Sequence, residues 1–242
     1  MQINIIGSGS IGSKHMSAST LIDNHILVDT PNGLVKYIKN FGFDILKIDT
    51  ILITHLHGDH FFELPFFMLE KYFNKDVHKV NIICPIGTKK KVEQLFEIGF
   101  PGDYEKVKEI INVNFIELGR EAYIKVDKVD VESKIVEHGE LKPAFGYIIH
   151  SNNKKVGFSG DSIYCKAIDE IVRKSDISIL DMSLKEDGNN AHMGFNDIKY
   201  LCEKYPNKKI IATHMHDSTR EKALKNVINN LIIPETNFKI II

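Results

Sequence analysis

The sequence predicts an α/β (α+β) fold in which two β-sheets pack face to face with helices on their outer sides. Short apolar runs of β-type composition recur along the chain, and stretches with helical spacing fall between them. The chain also divides into two β-rich halves, roughly 1–115 and 116–242, each with its own helices and with no linker, low-complexity tract or short repeat. Two facing sheets with helices outside bury the apolar faces that such halves present. A chain of 242 residues is enough for one sizeable domain or two small ones; with no linker between the halves, a single domain over residues 1–242 is expected.

In chain order, Ile3 to Ile6 reads as a buried first strand. Gly7-Ser8-Gly9-Ser10-Ile11-Gly12-Ser13 spells a dinucleotide fingerprint, but that fingerprint must open a helix. Here Ser17 to Asp23 continues as a β-type segment, with a turn at Asn24-His25 and a return strand over Ile26 to Asp29. The glycine stretch is therefore read as a flexible loop near a site, with His15 in it. Asp29-Thr30-Pro31-Asn32-Gly33 is a turn cluster. Leu34, Val35, Ile38 and Phe41 follow at helical spacing, and Gly42 stops the helix. A strand is expected at Ile51 to Ile53, a mostly buried helix at Phe61 to Leu69, and a surface loop at Glu70 to Lys79. Val80 to Cys84 reads as a strand and Lys89 to Ile98 as an amphipathic helix. Gly99 to Glu109 contains Pro101-Gly102 and is polar, and β character resumes at Ile110-Ile111 and from Val113 to Ile116.

The second half begins with apolar and polar residues alternating from Glu121 to Val136, which predicts an antiparallel meander. Phe145 to His150 and Lys155 to Phe158 form a hairpin pattern. Helices are expected at Ile163 to Arg173, Phe195 to Tyr205 and Ser218 to Leu231. Strands are expected at Ile177 to Asp181, Lys209 to Thr213 and Phe238 to Ile242.

Composition narrows the function. Hydrophobic residues make up 43% and charged residues 26% of the chain, with a net charge of −1. That is ordinary for a soluble globular protein and gives no global field for nucleic acid or anionic membrane. Lys71, Lys75, Lys79 and Lys89 to Lys91 read as a solvated surface, since acidic residues are interleaved. Cys84, Cys165 and Cys202 have no metal-type spacing and fit buried thiols in a reducing, cytoplasmic setting. No secretory signal or membrane-spanning run is visible.

The chemistry concentrates in Thr54-His55-Leu56-His57-Gly58-Asp59-His60, between a strand and a helix. His and Asp side chains suit zinc and its neighbours. Four such ligands in six residues exceed the need of one ion, so two adjacent metals are the simpler reading. Downstream, His138, Asp161, His192 and His214 each sit in a loop or at a strand end, where a fold presents side chains to a common cleft.

Together these residues resemble the metallo-β-lactamase superfamily. Residues 54–60 look like its HxHxDH motif, and His138, Ser159-Gly160-Asp161-Ser162 and Thr213-His214 match its later ligand motifs in order. The resemblance covers nearly the full chain and implies a four-layer αββα sandwich. It further implies that His55, His57 and His138 hold one metal ion, that Asp59, His60 and His214 hold a second, and that Asp161 bridges them. The ions would be divalent, zinc above all, with manganese as an alternative. A hydroxide between them would be the nucleophile, which makes Asp59 part of the catalytic apparatus as well as a ligand. A carboxylate at position 161 favours dinuclear hydrolases over β-lactamases. Gly7-Ser8-Gly9-Ser10, Pro143-Ala144-Phe145-Gly146-Tyr147 and Ala191-His192-Met193 point within the superfamily to the branch of ribonuclease Z and cyclic phosphodiesterases. There His192 would protonate the leaving oxygen, with Asp181 as its acidic partner. Phe61-Phe62-Glu63-Leu64-Pro65 departs from the glycine-rich stretch usual after the motif, and no Gly/Pro-rich arm of the kind that grips tRNA lies between Pro85 and Phe115.

The expected function is a metal-dependent phosphodiesterase acting on a small phosphodiester. A ribonuclease Z-like nuclease, with nucleic acid as the less favoured substrate, and a lactone or carboxylic ester hydrolase are the alternatives. A non-catalytic metal-binding sensor is disfavoured because every expected ligand is present. The oligomeric state is open, a homodimer included.

Overall fold

A computed structural model describes residues 1–127 and 129–242. Strands β1 (Gln2–Gly7), β2 (Ser19–Ile22) and β3 (Ile26–Val28) form an antiparallel meander. Helix α1 (Leu34–Asn40) and a single 3₁₀ turn at Ile45–Lys47 lead to β4 (Thr50–Leu52). A one-turn helix α2 (Gly58–Phe61), helix α3 (Leu64–Phe73), β5 (Val80–Pro85), helices α4 (Thr88–Gly99) and α5 (Asp103–Ile110), and β6 (Val113–Leu118) complete the first half. The second half holds β7 (Tyr123–Val126), β8 (Val129–His138), β9 (Leu141–Ser151), β10 (Lys154–Phe158), α6 (Lys166–Lys174) and β11 (Ile177–Asp181). It ends with α7 (Phe195–Lys204), β12 (Lys209–Thr213), α8 (Asp217–Lys225), β13 (Leu231–Ile232) and β14 (Phe238–Ile241).

Two seven-stranded mixed sheets result, in the orders β14-β1-β2-β3-β4-β5-β6 and β13-β12-β11-β10-β9-β8-β7. One strand crosses between the halves: β14 pairs antiparallel with β1 and so joins the first sheet. Strands β3 to β6 run parallel, as do β10 to β13.

Strand alternation sorts the side chains into layers. Ile3, Ile5, Leu52 and Ile83 face Val131, Phe145, Tyr147, Val156 and Ile179 in the core between the sheets. Their neighbours Ile6, Ile51, Ile53 and Ile82 point the other way, onto Leu34, Ile38, Phe67, Val92 and Phe96 of the helices outside the first sheet. On the far side, Ile148, Leu180 and Ile210 pack against Ile168, Ile171, Ile198 and Leu201. The layers are therefore helix, sheet, sheet, helix, as expected for the αββα sandwich. Among the described residues, no helix is long and apolar enough to cross a membrane.

Several elements differ from expectation. Helix α5 occupies the polar stretch with no expected element and takes in Ile110, expected to have β character. Only Tyr104 and Val107 of its eight residues are buried, too few to give a visible periodicity among its charges. The helix expected over Phe61 to Leu69 is instead α2 and α3, which runs on to Phe73 with Pro65 in its first turn, where a missing N–H costs nothing. Lys71 lies on that helix as a 1% exposed residue, not on a solvated surface. Helix α8 stops at Lys225, because Leu231 and Ile232 are used as an edge strand beside β12. The loop after β1 does not open a helix. A Cβ on Gly7 or Gly9 would stand 2.2 Å from the Ser17 carbonyl oxygen or 2.6 Å from that of His15, so these glycines serve close backbone approach.

Candidate metal centre

The parallel strands end on one rim of the sandwich, the position where open sheets present ligands to a crevice. Asp29 follows β3 and residues 54–60 follow β4. His138 ends β8, which runs antiparallel to β9, itself antiparallel to β10, so β8 and β10 point the same way. Asp161 follows β10, Asp181 ends β11 and His214 follows β12. The rim thus gathers side chains from both sheets.

All seven expected ligands come together there. His57 Nδ1 lies 3.1 Å from His55 Nε2 and 3.1 Å from His138 Nε2. Asp59 Oδ2 lies 3.3 Å from His214 Nε2 and 3.8 Å from His60 Nε2. Asp161 Oδ2 stands between the trios, 3.7 Å from His55 Nε2, 3.4 Å from His60 Nε2 and 3.3 Å from His214 Nε2. Ligand atoms about 2.0–2.1 Å from one tetrahedral zinc are roughly 3.3 Å apart, which falls within the 3.1–3.8 Å seen here.

Hydrogen bonds around the ring nitrogens fix which atom faces inward. Thr54 Oγ1 donates to Asp29 Oδ2 at 2.8 Å, so it accepts from His55 Nδ1 at 3.1 Å. His60 Nδ1 donates to Asp29 Oδ2 at 2.8 Å. His138 Nδ1 donates to the Ala191 carbonyl at 2.8 Å. Ser183 Oγ donates to Asp181 Oδ1 at 2.6 Å and accepts from His214 Nδ1 at 2.8 Å. Each of the four rings keeps an Nε2 lone pair for the centre, the arrangement usual around ligating imidazoles. His60 Nε2 is buried and has no hydrogen-bond partner.

Electrostatics fit a cation too. Asp29, Asp59, Asp161 and Asp181 are at most 7% exposed, and among the described residues no lysine or arginine pairs with them. Burial and the neighbouring His60 hold His55 well below the ordinary histidine value, and burial with His138 lowers His57. Burial opposes charging His60 and His214, but Asp161 with Asp29 or Asp59 outweighs it and raises both. Burial would raise Asp161, yet His214 and His60 hold it well below the usual carboxylate range. Buried carboxylates demand positive charge, which protons on His60 and His214, or divalent ions in their place, would supply. The donor set and its charge therefore fit two divalent metals.

The family model described as Anti-Pycsar protein Apyc1 matches residues 1–238. The chain belongs to the Apyc1 family. Its likeness to other proteins places this member in the ribonuclease Z-like branch of the metallo-β-lactamase superfamily. It is 24% identical to a ribonuclease Z of Mycolicibacterium gilvum over 71% of this chain and 65% of the relative. Human tRNase Z, short form, superposes with a TM-score of 0.77 at 17% identity over 99% of this chain and 98% of the other. A diphosphatase from the PhnP family gives 0.77 at 20% identity over 100% and 97%. The chain spans 65% and 50% of the length of the first two curated relatives it matches.

His192 lies outside both trios of this Apyc1-family site, with its ring stacked on His214 at 5.3 Å between centroids and 10° between planes. Its Nδ1 donates to Asp181 Oδ2 at 2.9 Å. Asp181 is fully buried and also accepts bonds from the backbone of Ser162 and Ser183. Burial works against a charged His192, but the hydrogen bond and charge of Asp181 outweigh it and raise its pKa above 6.5.

Sequence reasoning missed Asp29, Thr54 and Ser183 as orienting groups. Asp29 ends an apolar β-type run, the same signal that marked the later ligands, but its turn composition masked it. Ser183 and the Ala191 carbonyl carry no sequence signal. Glu63, in the stretch after the motif, is 6% exposed and accepts from the backbone N–H of Gly33 and Val35, so it caps the start of α1.

Proposed function

We propose that the chain is a dinuclear metal-dependent phosphodiesterase for small or cyclic phosphodiesters, working as one domain in which both sheets supply ligands. His55, His57 and His138 would hold one ion, Asp59, His60 and His214 the other, with Asp161 shared. Two divalent ions, zinc above all, would supply Lewis acidity and neutralise phosphate charge.

The observation that carries the reading is the His192–Asp181 pair beside, but outside, the ligand trios. Hydrolysis of a phosphodiester expels an alkoxide, which needs a proton. A water oxygen adds to phosphorus and releases one proton to solvent, the P–O bond to the leaving oxygen breaks with its electron pair on that oxygen, and His192 Nε2 delivers the proton that this oxygen needs. Asp181 holds Nδ1 and favours the charged form of the ring, as suits a general acid. A small substrate is favoured because residues 88–110 form α4 and α5, packed through Val92, Phe96 and Val107 against the first sheet, instead of an extended arm. Kinship with ribonuclease Z supports RNA as the second reading.

Zinc- or manganese-loaded protein assayed on cyclic nucleotides, a generic phosphodiester, short RNA, a lactone and a β-lactam tests this. Turnover of small phosphodiesters is expected, slowed ~10²–10⁴-fold by His192→Ala. Lactone turnover without phosphodiester turnover would overturn the proposal.

A further inference from the structure

The loop between β11 and α7 carries His192, and its construction reaches further than that one side chain. Asn189 Oδ1 accepts the backbone N–H groups of both Ala191 and His192, each at 2.8 Å. The Asn189 N–H donates to the His192 carbonyl at 2.9 Å. One asparagine thus closes a tight ring of hydrogen bonds around residues 189–192, the local bonding for which Asn is suited. The base of the loop is closed separately. Leu184 and Gly194 form a bridge, and Asp197 Oδ2 accepts the N–H groups of Gly188 at 3.0 Å and Gly194 at 2.8 Å.

The ring has two outward connections. The carbonyls of Asn190 and Ala191 accept from the Gly139 N–H, at 3.1 Å, and from His138 Nδ1, at 2.8 Å. The side chain of the next residue, His192, reaches Asp181. Three successive residues therefore grip a ligand of one trio and place the proton donor. Asn189 itself is exposed and fills no core space, so its bonds serve the loop's shape and not the stability of the sandwich.

We propose that Asn189 is a positioning residue for the proton transfer by His192. This rests on the role given to His192 above. The two N–H bonds set where the His192 backbone lies, and Asp181 then sets the ring angle. Without Asn189 the loop keeps its base, through Asp197, but loses the constraint nearest the imidazole. A displacement of about 1 Å at such a group can cost ~10²-fold.

The experiment compares metal-loaded wild type, Asn189→Ala, Asn189→Asp and His192→Ala on two diesters, one with an alkyl and one with a p-nitrophenyl leaving group. A nitrophenolate departs without protonation and an alkoxide does not, so loss of proton transfer shows only on the alkyl substrate. Asn189→Ala is expected to lower kcat ~10–100-fold on the alkyl diester and less than ~3-fold on the nitrophenyl diester, with KM unchanged. Asn189→Asp keeps an acceptor for both N–H groups and should restore the rate. Hydrogen exchange of the Ala191 and His192 amides in metal-free protein reads the bonds directly: slow in wild type and Asn189→Asp, fast in Asn189→Ala. Equal losses on both diesters, or no loss on either, would overturn the inference while leaving His192 as donor if His192→Ala still discriminates. If His192→Ala does not discriminate, the role of His192 fails and this inference falls with it.

Discussion

A ligating imidazole is useful only when its ring is turned the right way, and in this chain the turning is done through Nδ1. His55, His60, His138 and His214 each give Nδ1 to an oxygen of Thr54, Asp29, Ala191 or Ser183. Asp29 serves two of these rings, since Thr54 Oγ1 bonds its carboxylate as well. Its backbone is held at φ 59°, and that of His214 at φ 54°, a region that costs a non-glycine residue energy and that Asn, Asp and His tolerate best. Both strained residues stand at strand ends in the site. Asp29→Asn keeps the size but removes the charge that fixes His60, and should weaken metal affinity about 10–100-fold. Competition against a chromogenic chelator measures this, and an unchanged affinity would count against the orienting role.

The motif of residues 54–60 was legible because the first ligands are local: four of the seven fall on one strand-to-helix connection. The orienting groups were not, because they act over 31 residues of chain in the pairs His60–Asp29 and His214–Ser183. Helix α5 was hidden for a related reason, since its burial rests on two side chains. At the C-terminal end of α3, Lys71 donates to Asp76 Oδ2 at 2.5 Å and to the Leu46 carbonyl at 3.3 Å. Their side chains are 1% and 5% exposed. Charge composition alone put Lys71 on the surface; the turn after α3 brings Asp76 under it. Burial tends to raise the Asp76 carboxyl, but the Lys71 ammonium and the His78 N–H outweigh it and hold it below 3.8. A folded-state value below the unfolded one stabilises at neutral pH, and the gain is lost as pH falls from about 4 through the folded value. Asp76→Asn leaves a buried ammonium unpaired and should cost about 3–5 kcal/mol at pH 7. Urea unfolding should show the gap between wild type and variant shrinking below about pH 4; a gap independent of pH would refute the pairing.

Across the sandwich, residues 55–60 belong to the first sheet, and His138, Asp161 and His214 to the second. Metal ions held as proposed would tie the sheets together at the rim, so removing them should loosen the whole protein. Free metal at 100–1,000 times its Kd adds about 2.7–4.1 kcal/mol to the folded state. For a chain of this size that is roughly 5–15 °C in Tm. Calorimetry with and without a chelator measures the shift, and an unchanged Tm would show that no ion bridges the sheets.

The layers and the donor atoms follow from residue order alone. Strand alternation decides which faces are apolar, and the residue types at the strand ends decide what they can bind. Both properties are local and survive in one dimension. Tertiary structure alone decided the orientation: Asp29 under His60, Ser183 between Asp181 and His214, Ala191 on His138, and Asn189 around His192. Those partners meet only after loops and sheets have packed, and a hydrogen bond depends on geometry that composition does not carry.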